Sequence, residues 1–435
     1  MKSSNPDSAR AQGLLTRWEA WLCTIRVEGG WGGPVFTPRQ LCLEYCGPGM
    51  DWRLEGLLDG LVARHATTQD AAILDLIEAT IGEIQAAQWQ EAGVFRNSGA
   101  EGNPLDAGMP HEPAMLAAVC RALTCLEGAG RAIPAAWEAM IVRYVERHLM
   151  MKLWNKLLET FNDWAISDFD RYNIASVAAA LELLVALGER TGRLDEYRRF
   201  IEGAARSLVT LQVTEGPLAG GLPPASDSRG GVSPFLAARA LRGLRAAERS
   251  GAFVEAGQAA ARLAAFLARQ CRPEGAGIVR MLYSGRKPST GPVPAGAVAY
   301  IAETLIQSGE WTDRDEGGLI LTGLAERQQP TGAMTAWRGR PGVWGQACRR
   351  PDLVDVMPST DWQCMLYPFL ARLASADVPF RFQAGACQPV RRRCRYVGRG
   401  LHFYEDAHEI RLSGMFGTKL YRWEKGRNWC ELCLL

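Results

Sequence analysis

Two kinds of helical segment alternate along most of the chain. Segments of the first kind carry apolar residues on one face and charged residues on the other, and they span residues 71–87, 133–149, 195–211, 254–268 and 316–326. Segments of the second kind are apolar nearly all round, and they span residues 113–126, 174–187, 234–247, 294–306 and 360–374. A helix with one apolar face lies at a surface, whereas a helix that is apolar all round is buried on both sides. The pattern therefore predicts outer helices that alternate with inner helices.

A short motif recurs where an outer helix ends. In each copy a Gln or another polar residue precedes a Gly by three to five positions, and a loop rich in Gly and Pro then leads to the inner helix; the copies span residues 26–30, 88–93, 212–216, 270–275 and 328–332. A Gly just past a helix end supplies a left-handed C-cap, and the Gln side chain can bond the freed backbone groups. The sixth loop, residues 161–171, keeps the position but has lost both the Gln and the Gly.

The spacing of these loops predicts the architecture. Successive copies lie about 50 to 70 residues apart, which is the length of two helices with their connections. Six such pairs predict a mainly α fold, an (α/α)6 toroid of six helical hairpins that closes into a ring. Its inner helices are predicted near residues 52–66, 113–127, 172–188, 233–247, 294–308 and 360–374.

The pattern changes near residue 380. Short β-like runs at 392–397, 401–404, 409–412, 419–423 and 429–432 alternate with glycines. We therefore predict two parts: a toroid over residues 1–379, and a small antiparallel β appendage over residues 380–435 that packs on it. In this arrangement Trp423 and Trp429 are expected to be at least partly buried.

Composition excludes several classes of protein. The formal net charge of 435 residues is only +2, so the one basic cluster, Arg391 to Arg395, is expected to lie on a strand edge rather than in a nucleic-acid interface. There is no signal peptide and no apolar run long enough to cross a membrane, so a cytoplasmic protein is expected. The twelve cysteines are scattered, and neither Cys430/Cys433 nor Cys42/Cys46 has a partner pair at zinc-site spacing. We expect no metal and no cofactor.

The repeated Gln and Gly before a buried helix resemble two groups of proteins. One is the six-hairpin glycosidase superfamily, which includes glycoside hydrolases, polysaccharide lyases and sugar epimerases. The other is the more distant squalene-cyclase and prenyltransferase group. The resemblance covers roughly residues 10 to 375 and implies an architecture rather than a reaction. Only Trp31 supplies the Trp that the cyclase pattern places after the Gly.

The loops that enter the inner helices are expected to meet at one end of the ring. Helix N-termini there favour anions, and convergent polar and aromatic groups at a concave end define a candidate pocket. The candidate catalytic carboxylates are Asp163, Asp168, Asp170, Glu112 and Asp361. The candidate substrate-binding residues are Trp164, Arg171, Tyr172, Asn173, His111, Arg96, Arg229, Tyr283, Trp337 and Trp362.

The densest of these loops is NDWAISDFDRYN, residues 162–173. Crowded carboxylates separate each other's pKa values, so Asp168 or Asp170 could act as a general acid while the other stays ionised. The structural alternative is that one of them caps the following helix. The run Asp168-Phe-Asp170 also resembles the acid motif of class II terpene cyclases, but Arg171 occupies its fourth position.

Three functions follow from these features. The first is a carbohydrate-active enzyme that acts on a glycan or sugar by carboxylate chemistry, of the glycoside hydrolase, lyase or epimerase type. A lyase or epimerase would instead use a base such as Tyr172 or His111, with Arg96, Arg229 or Arg286 holding a uronate. The second is an isoprenoid cyclase with an Asp acid, and the third is a toroid that binds a glycan or a partner without catalysis. The expected ligand is a small molecule or glycan in each enzyme case.

Overall fold

A computed structural model describes most of the helical part of the chain and isolated strands beyond it. The described residues are 6–27, 29–37, 42–46, 48–96, 111–163, 171–228, 231–271, 273–274, 278–279, 281–284, 287–289, 293–326, 328, 332–334, 337–338, 363–374, 378–380, 382, 392–395, 402–406, 409–414, 417–422 and 433–434.

Twelve α-helices of the described residues form two alternating sets. The outer helices are α1 (Pro6–Leu22), α3 (Ala71–Ala87), α5 (Ala135–Tyr144), α7 (Leu194–Leu211), α9 (Glu255–Gln270) and α11 (Glu316–Ala325). The inner helices are α2 (Trp52–Thr68), α4 (His111–Gly128), α6 (Ile174–Thr191), α8 (Pro234–Ser250), α10 (Ala295–Gln307) and α12 (Tyr367–Leu373). The predicted helices are confirmed to within a few residues, except that positions 360–362 of the last one lie outside the described residues.

The inner helices close into a ring. Each packs against the next in the order α2, α4, α6, α8, α10 and α12, and α12 packs back against α2. Small residues allow this close approach: a Cβ on Gly243 of α8 would lie 2.7 Å from the Cα of Ala178 on α6. The chain therefore has the predicted (α/α)6 toroid, in which α8 lies opposite α2 across the axis.

The recurring Gln side chains link each outer helix to the next. Gln212, at the end of α7, donates from Nε2 to the carbonyl oxygens of Gly220 (3.0 Å) and of Ala259 on α9 (2.9 Å). Its Oε1 accepts a bond from Arg262 Nε, one turn further along α9, at 2.9 Å. The predicted bonding to freed loop groups is confirmed, and the link to the neighbouring outer helix is an addition that the sequence motif did not indicate.

Two further copies repeat this link around the ring. Gln88 joins α3 to Met140 and Arg143 in α5, and Gln328 joins the end of α11 to Leu14 and Arg17 in α1. The last copy connects the end of the helical chain to its beginning, so it closes the outer layer.

The loop glycines do not cap the outer helices, as was predicted, because α3 and α7 end at the extended residues Gln88 and Gln212. The glycines lie further into the loops and shape the turns that the Gln side chains bond. Gly93, Gly220 and Gly332 have φ angles of 79°, 89° and 93°, in the left-handed region that favours glycine. A Cβ on Gly220 would lie 2.8 Å from the carbonyl oxygen of Arg262, so both the conformation and the space exclude a side chain.

The loop that lacks the motif is built differently. Helix α5 continues as a π-helix, Val145–Leu153, and then enters a short hairpin of strands β5 (Trp154–Asn155) and β6 (Thr160–Phe161). Asn155 Oδ1 accepts bonds from the backbone N–H groups of Leu157 and Leu158, so an Asn side chain organises this turn in place of a Gln.

Short strands flank the toroid. Strands β1 (Arg26–Val27) and β2 (Gly30–Trp31) pair, as do β7 (Pro273–Glu274) with β8 (Ile278–Val279), β9 (Met281–Ser284) with β10 (Lys287–Ser289), and β11 (Val293–Pro294) with β12 (Trp337–Arg338). Strand β3 (Gly33–Thr37) pairs with β4 (Cys42–Cys46), which also pairs with β13 (Arg392–Arg395). All these pairs are antiparallel, and β13 lies at a sheet edge, where the basic cluster was expected.

The rest of the tail forms one four-stranded antiparallel sheet. Its strands are β14 (His402–Asp406), β15 (Glu409–Gly414), β16 (Gly417–Arg422) and β17 (Cys433–Leu434), in sequence order. The predicted β character is confirmed, whereas Trp423 and Trp429 lie outside the described residues and the boundary at residue 380 stays a prediction.

None of the helices in the described part of the chain is long and apolar enough to cross a membrane. Three of the described cysteines, Cys120, Cys271 and Cys364, are buried, as the core assignment predicted.

Candidate functional site

The start of inner helix α2 is fixed by a local ion pair. Asp51 caps the helix by accepting a bond from the backbone N–H of Arg53 at 3.0 Å. The Arg53 guanidinium also donates to both oxygens of the same carboxylate, each at 2.8 Å. These bonds determine where the first helical residue, Trp52, projects at this end of the ring.

Aromatic rings close the axis next to Trp52. Its ring centroid lies 4.8 Å from that of His111 on α4 and 5.4 Å from that of Phe235 on α8. Phe235 in turn lies 5.3 Å from Tyr300 on α10. We call these four residues the aromatic platform; Trp52 and His111 are half-buried, and the other two are buried. Since α2 and α8 are opposite, the platform spans the ring.

A buried ion pair lies beneath the platform. Arg239 on α8 stacks on the rings of Trp52 (4.9 Å) and Tyr300 (5.4 Å), and it contacts Glu55 of α2 across the axis at 2.8 Å. Within the described part of the chain, Arg239 Nε and Nη2, the Tyr300 hydroxyl and His111 Nδ1 are buried and have no hydrogen-bond partner. Such groups are costly unless something bonds to them. This end of the ring therefore has both an aromatic surface and polar atoms that can still form hydrogen bonds.

Further charges continue along the axis. Arg242 contacts Glu182 (2.9 Å), Asp59 (3.4 Å) and Glu55 (3.5 Å), and Arg121 contacts Asp59 at 2.7 Å. Burial opposes ionisation of Asp59, but the two guanidinium charges beside it hold its pKa below the usual value. We call Glu55, Asp59, Glu182, Arg121, Arg239 and Arg242 the axial network. Asp59 is therefore a poor proton donor, because the guanidinium groups stabilise its ionised form.

His111 is a neutral side chain in this setting. Burial lowers its pKa to about 4, and the charges of Arg239 and Arg53 act in the same direction against the opposing charge of Asp51. At neutral pH the imidazole therefore carries one acceptor nitrogen, and it can take a proton only as a weak base.

Asp163 is one of two predicted carboxylates that the structure describes at this end of the ring, and Glu112 is the other. Burial raises the pKa of Asp163, while bonds from the Ser176 hydroxyl and the backbone N–H of Asn173 partly offset that effect. Both partners belong to the first turn of α6 and its cap. A raised pKa is the property expected of a general acid in the loop 162–173, although these bonds also give Asp163 a structural role.

The cap of α6 excludes one structural alternative. The helix begins at Ile174, and Asn173 Oδ1 accepts a bond from the backbone N–H of Ala175 at 2.8 Å. Asn173 is thus the N-cap, so neither Asp168 nor Asp170 is needed for that role. Arg171 contacts Asp227 at 3.2 Å, and both side chains are more than half exposed.

Two other candidates contact the outer layer. Glu112 is fully buried, and its Oε1 accepts from the backbone N–H of Phe95 at 3.3 Å. The Tyr172 hydroxyl donates to the carbonyl oxygen of Ser207 on α7 at 3.1 Å. These contacts anchor inner helices to their outer neighbours, and the predicted roles of both residues in chemistry stay predictions.

The structure describes only three of the remaining candidates. Arg96 is exposed and lies in the loop that follows α3. The backbones of Tyr283 and Trp337 lie in β9 and β12, and the pairing of Trp337 with Pro294 places it beside the start of α10. The others lie outside the described residues: Trp164, Asp168, Asp170, Arg229, Asp361 and Trp362. The described residues contain no group of three His, Cys, Asp or Glu side chains that could hold a metal ion.

The sequence analysis did not single out the residues of the axis. Glu55 and Asp59 lie one turn apart in α2, and Arg239 and Arg242 lie three residues apart in α8, a segment that the sequence analysis interpreted as apolar nearly all round. Charges at helical spacing inside an otherwise apolar helix are the signal that would have found them, because a buried charge needs a partner.

Comparison with known proteins supports the fold. No protein family model and no curated protein matches the sequence. Among solved structures, the unsaturated glucuronyl hydrolase of Bacillus sp. GL1, which degrades glycosaminoglycan, matches with a TM-score of 0.56 at 15% identity, over 84% of this chain and 96% of that one.

Two further solved structures match with similar TM-scores and sequence identities. A possible member of the GH105 family from Klebsiella pneumoniae has a TM-score of 0.55 at 13% identity, over 86% of this chain and 94% of its own. A D-mannose isomerase has a TM-score of 0.55 at 13% identity, over 85% and 99%. The chain therefore has the (α/α)6 toroid fold of the six-hairpin glycosidase-like proteins.

Proposed function

We propose that the protein is a carbohydrate-active enzyme that binds a sugar ring on the aromatic platform. The observation that carries the proposal is the half-buried pair of Trp52 and His111 at the inner-helix N-termini, with spare polar groups of Arg239 and Tyr300 beside them. Aromatic faces pack against the C–H groups of a sugar, while a few placed polar groups fix its orientation. The sugar-acting enzymes that share the fold support the same class of substrate.

For the reaction, we propose first that a carboxylate of the loop 162–173 is the general acid. Asp168 and Asp170 remain the candidates, and support comes from Asp163 of the same loop, where burial raises the pKa of the carboxyl. In a glycosidase, carboxyl groups about 5–5.5 Å apart would give retention, and a gap of about 6.5–9.5 Å would give inversion.

The second candidate reaction is proton transfer of the epimerase or lyase type. The supporting observation is His111, which is neutral and has no bond at Nδ1 among the described residues. A neutral imidazole at the edge of the platform can accept a proton from a sugar carbon next to a carbonyl or carboxyl group. Exposed Arg96 is one cation near this end that could hold a uronate.

The charged side chains along the axis argue against the isoprenoid cyclase alternative. An isoprenoid cyclase needs a closed and mostly aromatic chamber, whereas six charged side chains occupy the axis directly below the platform. This charge favours a hydrophilic ligand over a hydrocarbon one.

One set of assays separates the two reactions. The protein would be incubated with neutral oligosaccharides, unsaturated uronides and free sugars, first in water and then in D2O. Release of reducing ends indicates hydrolysis, whereas deuterium on a sugar carbon, seen by NMR, indicates proton transfer. Asp168→Asn or Asp170→Asn should lower hydrolysis about 10²-fold or more, and His111→Gln should do the same for exchange.

Binding is tested separately with Trp52→Ala. Loss of sugar binding is expected, while Trp137→Phe on the outer helix α5 serves as a control for removing an indole elsewhere. If Trp52→Ala binds every sugar as well as the unchanged protein, the platform is not the substrate site. If no sugar binds or reacts, the proposed function is wrong.

A further inference from the structure

The toroid has a second opening at the end where the inner helices finish. A cavity of about 340 Å³ lies there between α6, α8 and α10, and a neighbouring one of about 240 Å³ lies between α2, α8, α10 and α12. Arg121 and Arg242 line both cavities, so both cavities border the axial network. We call the larger cavity the distal basin; its floor is Arg121, Glu182 and Arg242, and its rim includes Arg245, Arg249 and Gln307.

The basin is separate from the aromatic platform. The stacked Trp52 and Arg239 and the ion pair of Arg239 with Glu55 lie between the Trp52 side of the platform and the basin, and Tyr300 of the platform contacts the basin residue Arg242 at 5.2 Å. A molecule in the basin therefore enters from the opposite face of the ring. The size of the basin lies at the lower end of the range for small-molecule sites, about 300–1,000 Å³.

One buried oxygen points to a ligand. The side chain of Glu182 is 8% exposed, and its Oε2 contacts Arg242 at 2.9 Å. Its Oε1 is buried and has no hydrogen-bond partner among the described residues, although Glu182 lines the basin. An unsatisfied carboxylate oxygen needs a donor, and a molecule in the cavity that Glu182 lines can supply one.

The charge balance identifies the kind of donor. The axial network pairs three carboxylates, Glu55, Asp59 and Glu182, with three guanidinium groups. At the rim, Glu189 and Glu248 likewise oppose Arg245 and Arg249. A charged ligand would leave an unpaired charge in a desolvated site, which is unfavourable. A hydroxyl group can donate to Glu182 and accept from a guanidinium without disturbing that balance.

We propose that the distal basin is a second binding site, specific for a neutral polyhydroxylated molecule such as a monosaccharide or polyol. Glu182 Oε1 accepts a bond from one ligand hydroxyl, and the Arg121 and Arg242 guanidinium groups donate to its neighbours. This site does not depend on the function proposed for the aromatic platform.

The test uses three probes of one shape and different charge: glucose, glucuronate and glucosamine. Binding to the full chain at pH 7 is measured by saturation-transfer NMR titration. Glucose is expected to bind more tightly than either charged sugar. Arg245→Trp places an indole at the rim and should weaken glucose binding about tenfold or more, because it fills the cavity. Arg199→Trp, the same replacement on the exposed outer helix α7, is the matched control and should change nothing.

Two further variants test where glucose binds and how the charge of the basin sets its preference. Trp52→Ala should leave this glucose binding intact, since it removes the platform and not the basin. Glu182→Gln removes one negative charge, so it should shift the preference from glucose toward glucuronate. If Glu182→Gln does not fold, Arg245→Trp still decides the location.

The proposal is overturned by any of four results. These are no glucose binding at all, loss of glucose binding in Trp52→Ala with retention in Arg245→Trp, tighter binding of a charged sugar by the unchanged protein, or a crystal soaked in glucose that shows only water in the basin.

Discussion

The ion pair of Arg239 and Glu55 offers a direct test of how the axis is held together. Arg239 is completely buried and the Glu55 side chain is 2% exposed, and their contact at 2.8 Å joins opposite sides of the ring. Arg239→Met keeps an unbranched side chain against the Trp52 ring but leaves the Glu55 charge with only the longer contact to Arg242. Removing one partner of a buried pair costs about 3–5 kcal/mol, so we expect the free energy of unfolding to fall by that amount.

The double variant distinguishes charge from packing. In Arg239→Met with Glu55→Gln no ionised group is left uncompensated at this position, so the loss should be clearly smaller than in Arg239→Met alone. The exposed pair of Arg198 and Asp195 has the same 2.8 Å contact with side chains 50% and 89% exposed, and Arg198→Met should cost less than about 1 kcal/mol.

Urea unfolding followed by far-UV circular dichroism measures five proteins: the unchanged protein, Arg239→Met, Glu55→Gln, the double variant and Arg198→Met. A cost below about 1 kcal/mol for Arg239→Met, or a double variant that is the sum of its single changes, would refute the argument that this pair is electrostatically coupled across the axis. Sugar binding by Arg239→Met is the second readout, since loss of the stacked guanidinium should disturb Trp52.

Three other predictions concern the frame and the pH response. Gln212→Leu removes two donated bonds and one accepted bond, so urea unfolding should show a loss of about 2–4 kcal/mol, against almost none for the exposed Gln90→Leu. Gly220→Ala meets both a φ of 89° and a carbonyl oxygen at 2.8 Å, and should lower the melting temperature, with an unchanged temperature contradicting the strained turn. His148 is 4% exposed, and burial lowers its pKa to about 4. Because the unfolded chain binds this proton near pH 6.5 and the folded chain does not, His148 alone should lower the stability by about 3 kcal/mol as pH drops from 6.5 to 4. His111 should add a similar slope, so His148→Phe should remove about half of the pH dependence that the two histidines cause in unfolding measured across the range.

The architecture could be predicted because its signals are local and repeated. Helix α3 begins and ends where its amphipathic pattern does, and the repeated Gln is the residue at which α3 and α7 stop. The sixth loop shows the limit of this logic. Without the motif, the sequence did not indicate that α5 would continue as a π-helix and a hairpin.

The candidate site was predicted less completely. The end of the ring was expected to gather polar and aromatic residues; of these, the structure describes His111 and Asp163 there, and their roles stay predictions. The sequence analysis favoured Glu112 and Tyr172 as pocket residues, yet their described contacts are with the outer layer. A first-turn position does not determine which side of a helix faces the axis, since that depends on how the helix is rotated against its neighbours.

By itself, the sequence determined the alternation of outer and inner helices, the places where they stop and the β character of the tail, because propensity, periodicity and loop chemistry act over a few residues. Only the tertiary structure decided which helices oppose each other. Ring closure brings Glu55 within 2.8 Å of Arg239, although 184 positions separate them in the chain, and it places Trp52 against Phe235. No local pattern encodes such pairs, because each depends on the summed packing of six helices around one axis.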